Sequence, residues 1–358
     1  MEPSDSISRR SEVVVVTGAA AGVGRATAVE FARQGASAVG LIARDRNQLE
    51  SAAAEIRQLG AQALAIEADV ADADKVEAAA DQIERELGPI DIWVNDAMVT
   101  VFSRFTDIAA DEYRRVTEVT YLGTVNGTRT ALRRMLPRER GAIVQVGSAL
   151  AYRSIPLQSA YCGAKAAIRG FTDSLRTELL HDGHKVHITM VQLPAVNTPQ
   201  FDWCRTHIDH HPQPVPPIYD PSVPARAIVW AAHHRRRELY LGFPTLIAIE
   251  ANKFIPGLLD RYLARTGFKS QQTSEVIDPN RRNNLFEPVH GDFGARGSFT
   301  SRSWDGSIEF WLSRNRTALA VLAGLALGYG LVRRSFQSTP REPVSSLQSS
   351  RLLAKAKR

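Results

Sequence analysis

The stretch Val13–Gly24, with the sequence VVVVTGAAAGVG, determines how the rest of the chain is interpreted. Its four valines form an uninterrupted β-branched run, which is typical of a strand buried on both faces of a parallel sheet. The glycines that follow allow a sharp turn and a close approach of the backbone to a pyrophosphate, whose charge suits the free N–H groups at the start of a helix. Residues 22–34 have the helical period that should come next. The stretch therefore predicts a nucleotide-binding strand, turn and helix.

The same alternation of strand and helix patterns continues to about residue 195. Because a strict succession of strand and helix implies right-handed crossovers, it predicts an α/β fold. The sheet is expected to be a Rossmann-type, doubly wound parallel sheet with helices on both faces. The predicted strands are 13–16, 38–43, 62–67, 90–94, 142–146 and 185–192, and the predicted helices are 22–34, 45–59, 72–87, 111–136 and 160–180.

The remainder of the chain differs in composition. Residues 194–224 are rich in proline, which favours extended or turn conformations, and we expect them to form a lid over a substrate pocket. Helices are predicted at 222–236 and at 245–265, the latter interrupted at Pro256. We divide the chain into a disordered N-terminus, a sheet domain that includes the lid, a helical and then irregular extension, an apolar segment and a basic disordered tail. These regions are residues 1–12, 13–243, 244–306, 307–332 and 333–358.

Composition limits the classes of function. The chain has 358 residues with 44 Lys and Arg against 38 Asp and Glu, and positions 333–358 carry the whole excess of +6. A basic face for nucleic acid is therefore not expected.

Cys162 and Cys204 provide no disulfide framework, and the chain has no apolar stretch before Val13 that could serve as a secretory signal, so we expect a cytoplasmic protein. The histidines of residues 207–211 fit either a metal site or a loop over the substrate pocket. The proline-rich sequence favours the loop, and no metal is predicted.

The end of the second strand indicates which nicotinamide cofactor such a turn would bind. An acidic residue there would hydrogen-bond the ribose 2′-hydroxyl, whereas a basic one suits a 2′-phosphate. The strand ends at Arg44, with no acid before Asp45, and Arg25 follows the glycine turn. This favours NADP(H), although either arginine also fits a solvated surface charge. Residues 69–70 after the third strand and 95–97 after the fourth are expected to line the cofactor.

Tyr161 and Lys165 lie four residues apart in a predicted helix, so their side chains share one face. A cation within about 4–6 Å favours the phenolate and lowers the pKa of a tyrosine, which is otherwise near ~10. Such a pair can exchange a proton with a reacting oxygen. Ser148 follows the strand 142–146, at the edge where open α/β sheets bind ligands, and its hydroxyl is suited to hold a substrate carbonyl. A packed tyrosine beside a surface lysine is the alternative for the pair taken alone.

Together these motifs resemble the short-chain dehydrogenase/reductase family, and within it a bacterial subgroup with a long C-terminal extension. The resemblance covers about Val13 to Phe243 and rests on TGAAAGVG, NDA, Ser148, YCGAK and the PAVNT of residues 194–198. It implies an NADP-dependent oxidoreductase that interconverts a carbonyl and a secondary alcohol, with Tyr161 as general acid/base, Lys165 tuning it, and Ser148 orienting the substrate. The hydride is the cofactor's contribution. The motifs and the resemblance together give the expected cofactor-binding residues, of which the resemblance supplies the contacts of Lys165, Val196 and Thr198. The full set is Gly18, Ala20, Gly22, Val23, Gly24, Arg25, Arg44, Asp69, Val70, Asn95, Ala97, Tyr161, Lys165, Val196 and Thr198.

The sequence departs from the family pattern at three places. Met98 replaces the last glycine of the family's NNAG, and Ala195 replaces the glycine after Pro194. Thr120 stands where the family has an asparagine that helps to hold a water between the lysine and solvent, and a threonine hydroxyl offers fewer hydrogen-bonding groups. We place Thr120 among the catalytic residues, as part of an altered proton relay. The departures also motivate an alternative, a catalytically impaired NADP-binding scaffold or sensor.

The apolar segment raises the question of a membrane. Residues 317–332 contain no charged side chain and include a G-x-x-x-G pattern at Gly324 and Gly328. As a helix they span about 24 Å, against a hydrocarbon core of about 30 Å. We expect residues 307–358 to attach the protein to the cytoplasmic face of a membrane, where the basic tail meets anionic lipid. Two alternatives remain open: a single span of the bilayer with the basic tail translocated, and a buried helix at a subunit interface of a homo-oligomer. The expected substrate is a small carbonyl or alcohol compound. If residues 307–358 contact a membrane, we expect this substrate to be apolar.

Overall fold

In the computed structural model, which describes residues 10–278 and 280–337, seven strands form one parallel sheet. These strands are β1 (Arg10–Thr17), β2 (Ala36–Ala43), β3 (Gln62–Glu67), β4 (Ile90–Asn95), β6 (Ala142–Ser148), β7 (His187–Leu193) and β11 (Glu238–Tyr240). Their order across the sheet is β3-β2-β1-β4-β6-β7-β11, so the direction of winding reverses beside β1. Open α/β sheets bind ligands at such a reversal, at the carboxyl ends of the strands.

The valine run of β1 is buried on both sides, as its sequence predicts. Val14 and Val16 pack into one hydrophobic cluster, and Val13 and Val15 pack into the cluster on the opposite face. This alternation follows from the two-residue period of a strand. The helices that cover the two faces are α1 (Gly22–Arg33), α2 (Arg46–Gln58), α3 (Ala73–Leu87), α4 (Ala110–Val116), α5 (Gly123–Met135), α6 (Ser159–His181) and α8 (Ser222–His233). The predicted doubly wound α/β sheet is confirmed.

Two predicted elements differ in detail. The single helix predicted at 111–136 is divided, because a π-helical turn, Thr117–Leu122, separates α4 from α5. Such turns often mark functional positions, and this one contains Thr120. The helix predicted at 222–236 ends earlier, at His233.

The proline-rich lid, residues 194–224, contains more regular structure than its composition predicts. It comprises α7 (Gln200–Trp203) and three short strands, each paired with a strand from another part of the chain. The lid strands are β8 (Arg205–Thr206), β9 (His210–Pro212) and β10 (Ile218–Tyr219), and their partners are β5 (Val101–Phe102), β12 (Gln272–Val276) and β13 (Ser303–Trp304). The lid is therefore held at several points.

After β11 come two helices, α9 (Phe243–Phe254) and α10 (Pro256–Ser270), so the interruption predicted at Pro256 is confirmed. Residues 266–306 were predicted to be irregular, but they contain the end of α10 and the strands β12 and β13. Between these strands, residues 281–299 contain no strand but pack on the sheet domain, and Leu285 among them is fully buried. Local sequence period does not reveal this packing.

The first compact unit ends at Phe310, and a second unit comprises residues 311–358. The helix α11 (Ile308–Gln337) begins in the first unit, and many of its described apolar side chains, including Trp311 and Leu325, are exposed. Among the residues that the structure describes, none of the helices combines the length and the apolar character needed to cross a bilayer. Disorder was predicted for residues 1–12 and 333–358, but residues 10–12 belong to β1 and residues 333–337 belong to α11. The rest of these two predictions, at residues 1–9 and 338–358, lies outside the described residues.

Candidate active site

A cavity of about 420 Å³ lies at the carboxyl ends of the central strands. The turn after β1, the ends of β2, β3 and β6, the start of α6 and the lid all contribute to its lining. Thirteen of the residues expected to act in catalysis or cofactor binding line it: Gly18, Ala20, Gly22, Val23, Arg44, Asp69, Val70, Ala97, Ser148, Tyr161, Lys165, Val196 and Thr198.

The glycine turn has the close contacts that its sequence predicts. Gly18 has φ +72°, and a Cβ there would lie 2.8 Å from Ala97 Cα. A Cβ on Gly24 would lie 2.3 Å from the carbonyl oxygen of Gly18. The N-terminus of α1 has no side-chain cap and no acidic residue in its first turn. The turn therefore fits a pyrophosphate, whose oxygens would accept from N–H groups in the first turn of the helix. The Gly22 N–H is an exception, because it already donates to the carbonyl oxygen of Gly294.

At the end of β2, the carboxylate of Asp45 is occupied as a helix cap. Its Oδ1 accepts from Gln48 N at 2.9 Å, and its Oδ2 lies 2.6 Å from His290 Nδ1. Arg44 is the cation beside it, with its Nη1 donating to the carbonyl oxygens of Leu285 at 3.3 Å and Phe286 at 2.8 Å. Burial, together with the neighbouring Arg115, lowers the pKa of Arg44. An anionic ligand at this end of the cleft would offset that buried charge.

Asp69, at the end of β3, is held as a carboxylate. Burial opposes its ionisation, but the Ala71 N–H at 3.0 Å and the Arg115 guanidinium bind it, and the net effect is a lowered pKa. The side chain that was expected to reach the cofactor is thus already paired with α4.

Ser148, Tyr161 and Lys165 meet in the middle of the cavity. Ser148 ends β6, and its Oγ accepts from Leu150 N at 3.1 Å. Lys165 Nζ lies 5.6 Å from the centroid of the Tyr161 ring and donates to the carbonyl oxygen of Val146 at 2.7 Å. Burial raises the pKa of Tyr161 and the interaction with Ser148 opposes this rise, so the phenol stays protonated at neutral pH. Burial lowers the pKa of the Lys165 ammonium.

Asp96 was expected from its sequence position to line the cofactor, but no effect on the catalytic groups was predicted for it. It follows Asn95 at the end of β4 and lines the cavity with Lys165. Burial raises the pKa of its carboxyl group, and the charge of Lys165 opposes this rise. In return, Asp96 raises the pKa of both Lys165 and Tyr161. A titratable carboxylate therefore acts on the proposed proton donor, and the signal for it was the acid in the NDA motif.

Thr120 lies outside the cavity lining. Its side chain is fully buried, and its Oγ1 donates to the carbonyl oxygen of Val99 at 3.0 Å and accepts from the Val99 N–H at 3.2 Å. The hydroxyl therefore holds the loop after β4. Its single proton is donated to the Val99 carbonyl oxygen, so it is not available to donate to a water.

Three expected cofactor residues are also absent from the lining. Gly24 supports the turn by close packing, as above. The Asn95 amide is enclosed in a buried network with Trp93 of β4, Gln145 of β6 and Thr128 of α5. Arg25, with 4% of its side chain exposed, is bound between α1 and α2 by Glu55 at 2.5 Å and by Asp292 at 2.5 Å. Arg25 is therefore an internal ion-pair residue in this structure.

The lid closes the apolar end of the cavity with Phe201 and Trp203. Two histidines of the lid contact carboxylates: His207 Nε2 lies 2.8 Å from Glu112 Oε2, and His211 Nε2 lies 3.5 Å from Asp202 Oδ1. In the part of the chain that the structure describes, no group of three metal-binding side chains comes together.

The C-terminal extension contributes to the cavity, which was not predicted from its sequence. Asn284, Pro288 and Val289 line the same cavity as the glycine turn and Arg44. They are about 240 residues away from Arg44 along the chain, and no local pattern marks them. Only the tertiary fold brings them to the cleft.

Comparison with known proteins places this arrangement in context. The model of the short chain dehydrogenase family matches residues 12–207, more than half of the chain. An uncharacterized oxidoreductase, YxnA, of Bacillus subtilis is 29% identical over 88% of this chain and 89% of its own length. The uncharacterized oxidoreductase Mb1570 of Mycobacterium bovis is 31% identical over 70% of this chain and 72% of its own.

A solved structure also resembles the sheet domain. An alcohol dehydrogenase from the archaeon Thermococcus sibiricus, in complex with 5-hydroxy-NADP, superposes with a TM-score of 0.57 and 25% identity. The similarity covers 96% of that chain but 65% of this one, so a substantial part of this chain lies outside it.

Proposed function

The chain belongs to the short-chain dehydrogenase/reductase family, and from this premise we propose that it is an NADP(H)-dependent reductase that interconverts a carbonyl and a secondary alcohol. The observation that carries the proposal is that Tyr161, Lys165 and the glycine turn line one cavity. A proton donor and a phosphate-binding turn thus open to the same space, where a cofactor and a substrate can meet.

The residues of the chain supply position and a proton, while the cofactor supplies the hydride. In the direction of reduction, Ser148 donates a hydrogen bond to the carbonyl oxygen and Tyr161 transfers its proton to that oxygen. The raised pKa of Tyr161 keeps this proton in place before the reaction. Lys165 stabilises the phenolate that is left, because a nearby cation favours the charged form.

The end of β2 supports a preference for NADP(H). The carboxylate of Asp45 caps α2 and binds His290, so it is not free to accept from ribose hydroxyls. Arg44 lies beside it and lines the cavity. A guanidinium suits a 2′-phosphate, whereas the contacts of Asp45 remove the acid that NAD(H) would need.

The lining of the substrate end supports an apolar substrate. The cavity that Tyr161 lines is also lined by Phe201 and Trp203 from the lid, Ile155 after β6 and Ala248 from α9. Apolar walls with a few polar groups are typical of small-molecule sites in which the polar groups set orientation. We infer that the substrate carries its carbonyl or alcohol on an apolar body.

The test is a reduction assay with NADPH and a panel of apolar ketones and aldehydes. We expect Tyr161→Phe to lower kcat by about 10²–10⁴-fold, the range of general acid catalysis, while NADPH still binds. Tyr262→Phe, an exposed tyrosine on α10, is the matched control and should have wild-type activity. Equal activity of Tyr161→Phe and wild type would contradict the proposed site.

A second candidate function follows from Thr120. Because the contacts with Val99 use its only proton, a water relay from Lys165 has less support here than an asparagine would give. The alternative is a scaffold or sensor that binds NADP(H) without turnover. Tight NADPH binding with no activity on any substrate of the panel would favour it.

We also propose that the C-terminal region contacts the cytoplasmic face of a membrane, and that the protein is a homo-oligomer. Exposed apolar side chains of α11, among them Trp311, Leu312, Leu322 and Leu325, support a surface contact. The basic residues at 333–358 would add attraction to anionic lipid.

A further inference from the structure

We propose that residues 281–299, here called the clasp, belong to the cofactor site and retain the bound cofactor by fastening the adenosine end of the cleft to the substrate lid. The inference rests on the proposed nicotinamide-cofactor function. The clasp begins and ends on the lid, and its middle part crosses the end of β2 and the start of α1. Three groups of contacts carry the inference.

The first group holds the clasp to the end of β2. Arg44 donates to three consecutive carbonyl oxygens of the clasp, those of residues 284–286. Gln48 Nε2 donates to the carbonyl oxygen of Val289 at 2.7 Å, and His290 contacts Asp45 at 2.6 Å. This part of the clasp therefore forms a wall of the cleft where the adenosine of a dinucleotide is expected.

The second group holds the clasp to the glycine turn and its helices. Asp292 accepts from Arg25 Nη1 at 2.5 Å and from Ser51 Oγ at 2.6 Å. These two hydrogen bonds lower the pKa of Asp292 to about 2, so the carboxylate is charged at neutral pH. Gly22 N, at the N-terminus of α1, donates to the carbonyl oxygen of Gly294 at 3.1 Å. The clasp thus caps one donor of the turn, while its neighbour Val23 lines the cavity.

The third group holds both ends of the clasp to the lid. At one end, Asn284 N donates to the carbonyl oxygen of Trp203 at 2.9 Å, and the Trp203 ring lies 4.5 Å from the ring of Phe293. At the other end, Arg296 Nε donates to Asp220 at 2.6 Å, and Phe299 N donates to Asn197 Oδ1 at 3.0 Å. The lid and the adenosine end of the cleft are therefore parts of one hydrogen-bonded structure.

A cofactor that fills the cleft is enclosed by these contacts. Its release requires the clasp to detach, and detachment breaks charged hydrogen bonds at Arg25 and Arg44. Arg44 serves two partners, the clasp carbonyls and the 2′-phosphate. A bound phosphate would therefore add a charged acceptor to a guanidinium that donates to three backbone carbonyl oxygens of the clasp. The clasp therefore slows the exchange of NADP(H) and joins cofactor binding to the position of the lid.

The test measures the dissociation rate of NADPH by its fluorescence, after mixing the preloaded full-length protein with excess NADP⁺. We expect Asp292→Asn and His290→Ala each to release NADPH about tenfold faster than wild type, the factor that corresponds to the loss of a charged hydrogen bond. Both side chains are at least half exposed, so the substitutions leave the core intact. Glu275→Gln, an exposed acid of the extension on β12, is the matched control and should leave the rate unchanged.

Amide hydrogen exchange provides the readout that does not depend on release. NADPH should slow exchange at residues 284–297 in wild type, and Asp292→Asn should remove most of this protection. Wild-type protein that binds NADPH with no added protection of the clasp, or unchanged release in both variants, would overturn the inference while the proposed function stands. Failure of wild type to bind either NADPH or NADH would overturn the proposed function, and the clasp inference with it.

Discussion

The Thr120 hydroxyl and the backbone of Val99 exchange two hydrogen bonds, one in each direction, at 3.0 and 3.2 Å. The π-helical turn that carries Thr120 is thereby joined to the loop after β4, which contains Asp96 and passes along the cavity. Thr120, which was predicted to take part in a proton relay, therefore positions the loop that carries Asp96, a titratable neighbour of Lys165.

The first prediction concerns this pair of hydrogen bonds. Thr120→Val keeps the shape of the side chain but leaves the N–H and carbonyl of Val99 without partners in a fully buried place. We expect a loss of about 1–3 kcal/mol in the free energy of unfolding. Thr120→Ser retains the hydroxyl and should lose less. Urea denaturation of the two variants checks the difference, and equal stability of Thr120→Val and wild type would contradict the structural role.

A second prediction concerns the pH dependence of catalysis. The negative charge of Asp96 raises the pKa of both Lys165 and Tyr161, so its removal in Asp96→Asn lowers both. Both limbs of the pH profile of kcat/KM for alcohol oxidation should therefore move to lower pH. At acid pH, where wild-type Asp96 is itself protonated, the difference in kcat/KM between Asp96→Asn and wild type should vanish. Asp182→Asn, an exposed acid at the end of α6, is the control, and a shift to higher pH in Asp96→Asn would be inconsistent with this electrostatic account.

Much of the fold could be predicted from the sequence, because both of its main signals are local. The buried strand of Val13–Val16 and the amphipathic helices have periods of 2 and 3.6 residues, and these fix which face each residue presents. Ser148, Tyr161 and Lys165 were found because a strand end and a helical spacing of four residues bring them to one edge of the sheet. Each of these inferences needs only a short stretch of chain.

The predictions that differ from the structure depend on distant partners. Arg25 has the position of a phosphate ligand in the sequence, but Glu55 and Asp292 draw it between two helices. The clasp has the composition of an irregular segment, and its order comes from hydrogen bonds to Arg44 and to the lid rather than from its own period. No pattern within the segment encodes these contacts.

A third prediction separates the two cofactors. Arg44→Ala removes the cation beside Asp45, and we expect the Kd for NADPH to rise about 10–100-fold and clearly more than the Kd for NADH. Both cofactors lose the support of the clasp, but only NADPH loses a contact with its 2′-phosphate. Arg46→Ala is the matched control, since Arg46 is exposed and lies 3.6 Å from Glu50 on its own helix. Fluorescence titration with both cofactors measures the ratio. An equal rise in the Kd for NADPH and for NADH would indicate that Arg44 holds the clasp and makes no contact with the 2′-phosphate.

A fourth prediction uses two glycines in helices. A Cβ on Gly24 would lie 2.3 Å from the carbonyl oxygen of Gly18, and backbone atoms cannot move aside as a flexible side chain would. Gly24→Ala should therefore distort the turn, weaken NADPH binding and destabilise the fold by about 1–3 kcal/mol. Gly170→Ala is the control, because a Cβ there meets nothing within 4 Å and alanine favours the helix α6 by roughly 0.5–1 kcal/mol. Calorimetric melting should move in opposite directions for the two variants.

The last prediction concerns the membrane contact. A chain that ends at Phe310 keeps the whole first unit, including the packing of the Phe310 ring against Trp230, and removes the exposed apolar face of α11 together with the basic tail. We expect the full chain to sediment with vesicles that contain anionic phosphatidylserine and the shortened chain to stay in the supernatant. Because each basic residue near such a surface contributes about 1 kcal/mol, raising the salt concentration should release part of the full chain. Cofactor binding of the shortened chain is the control for folding, and sedimentation of that chain with the vesicles would place any membrane contact in the first unit instead.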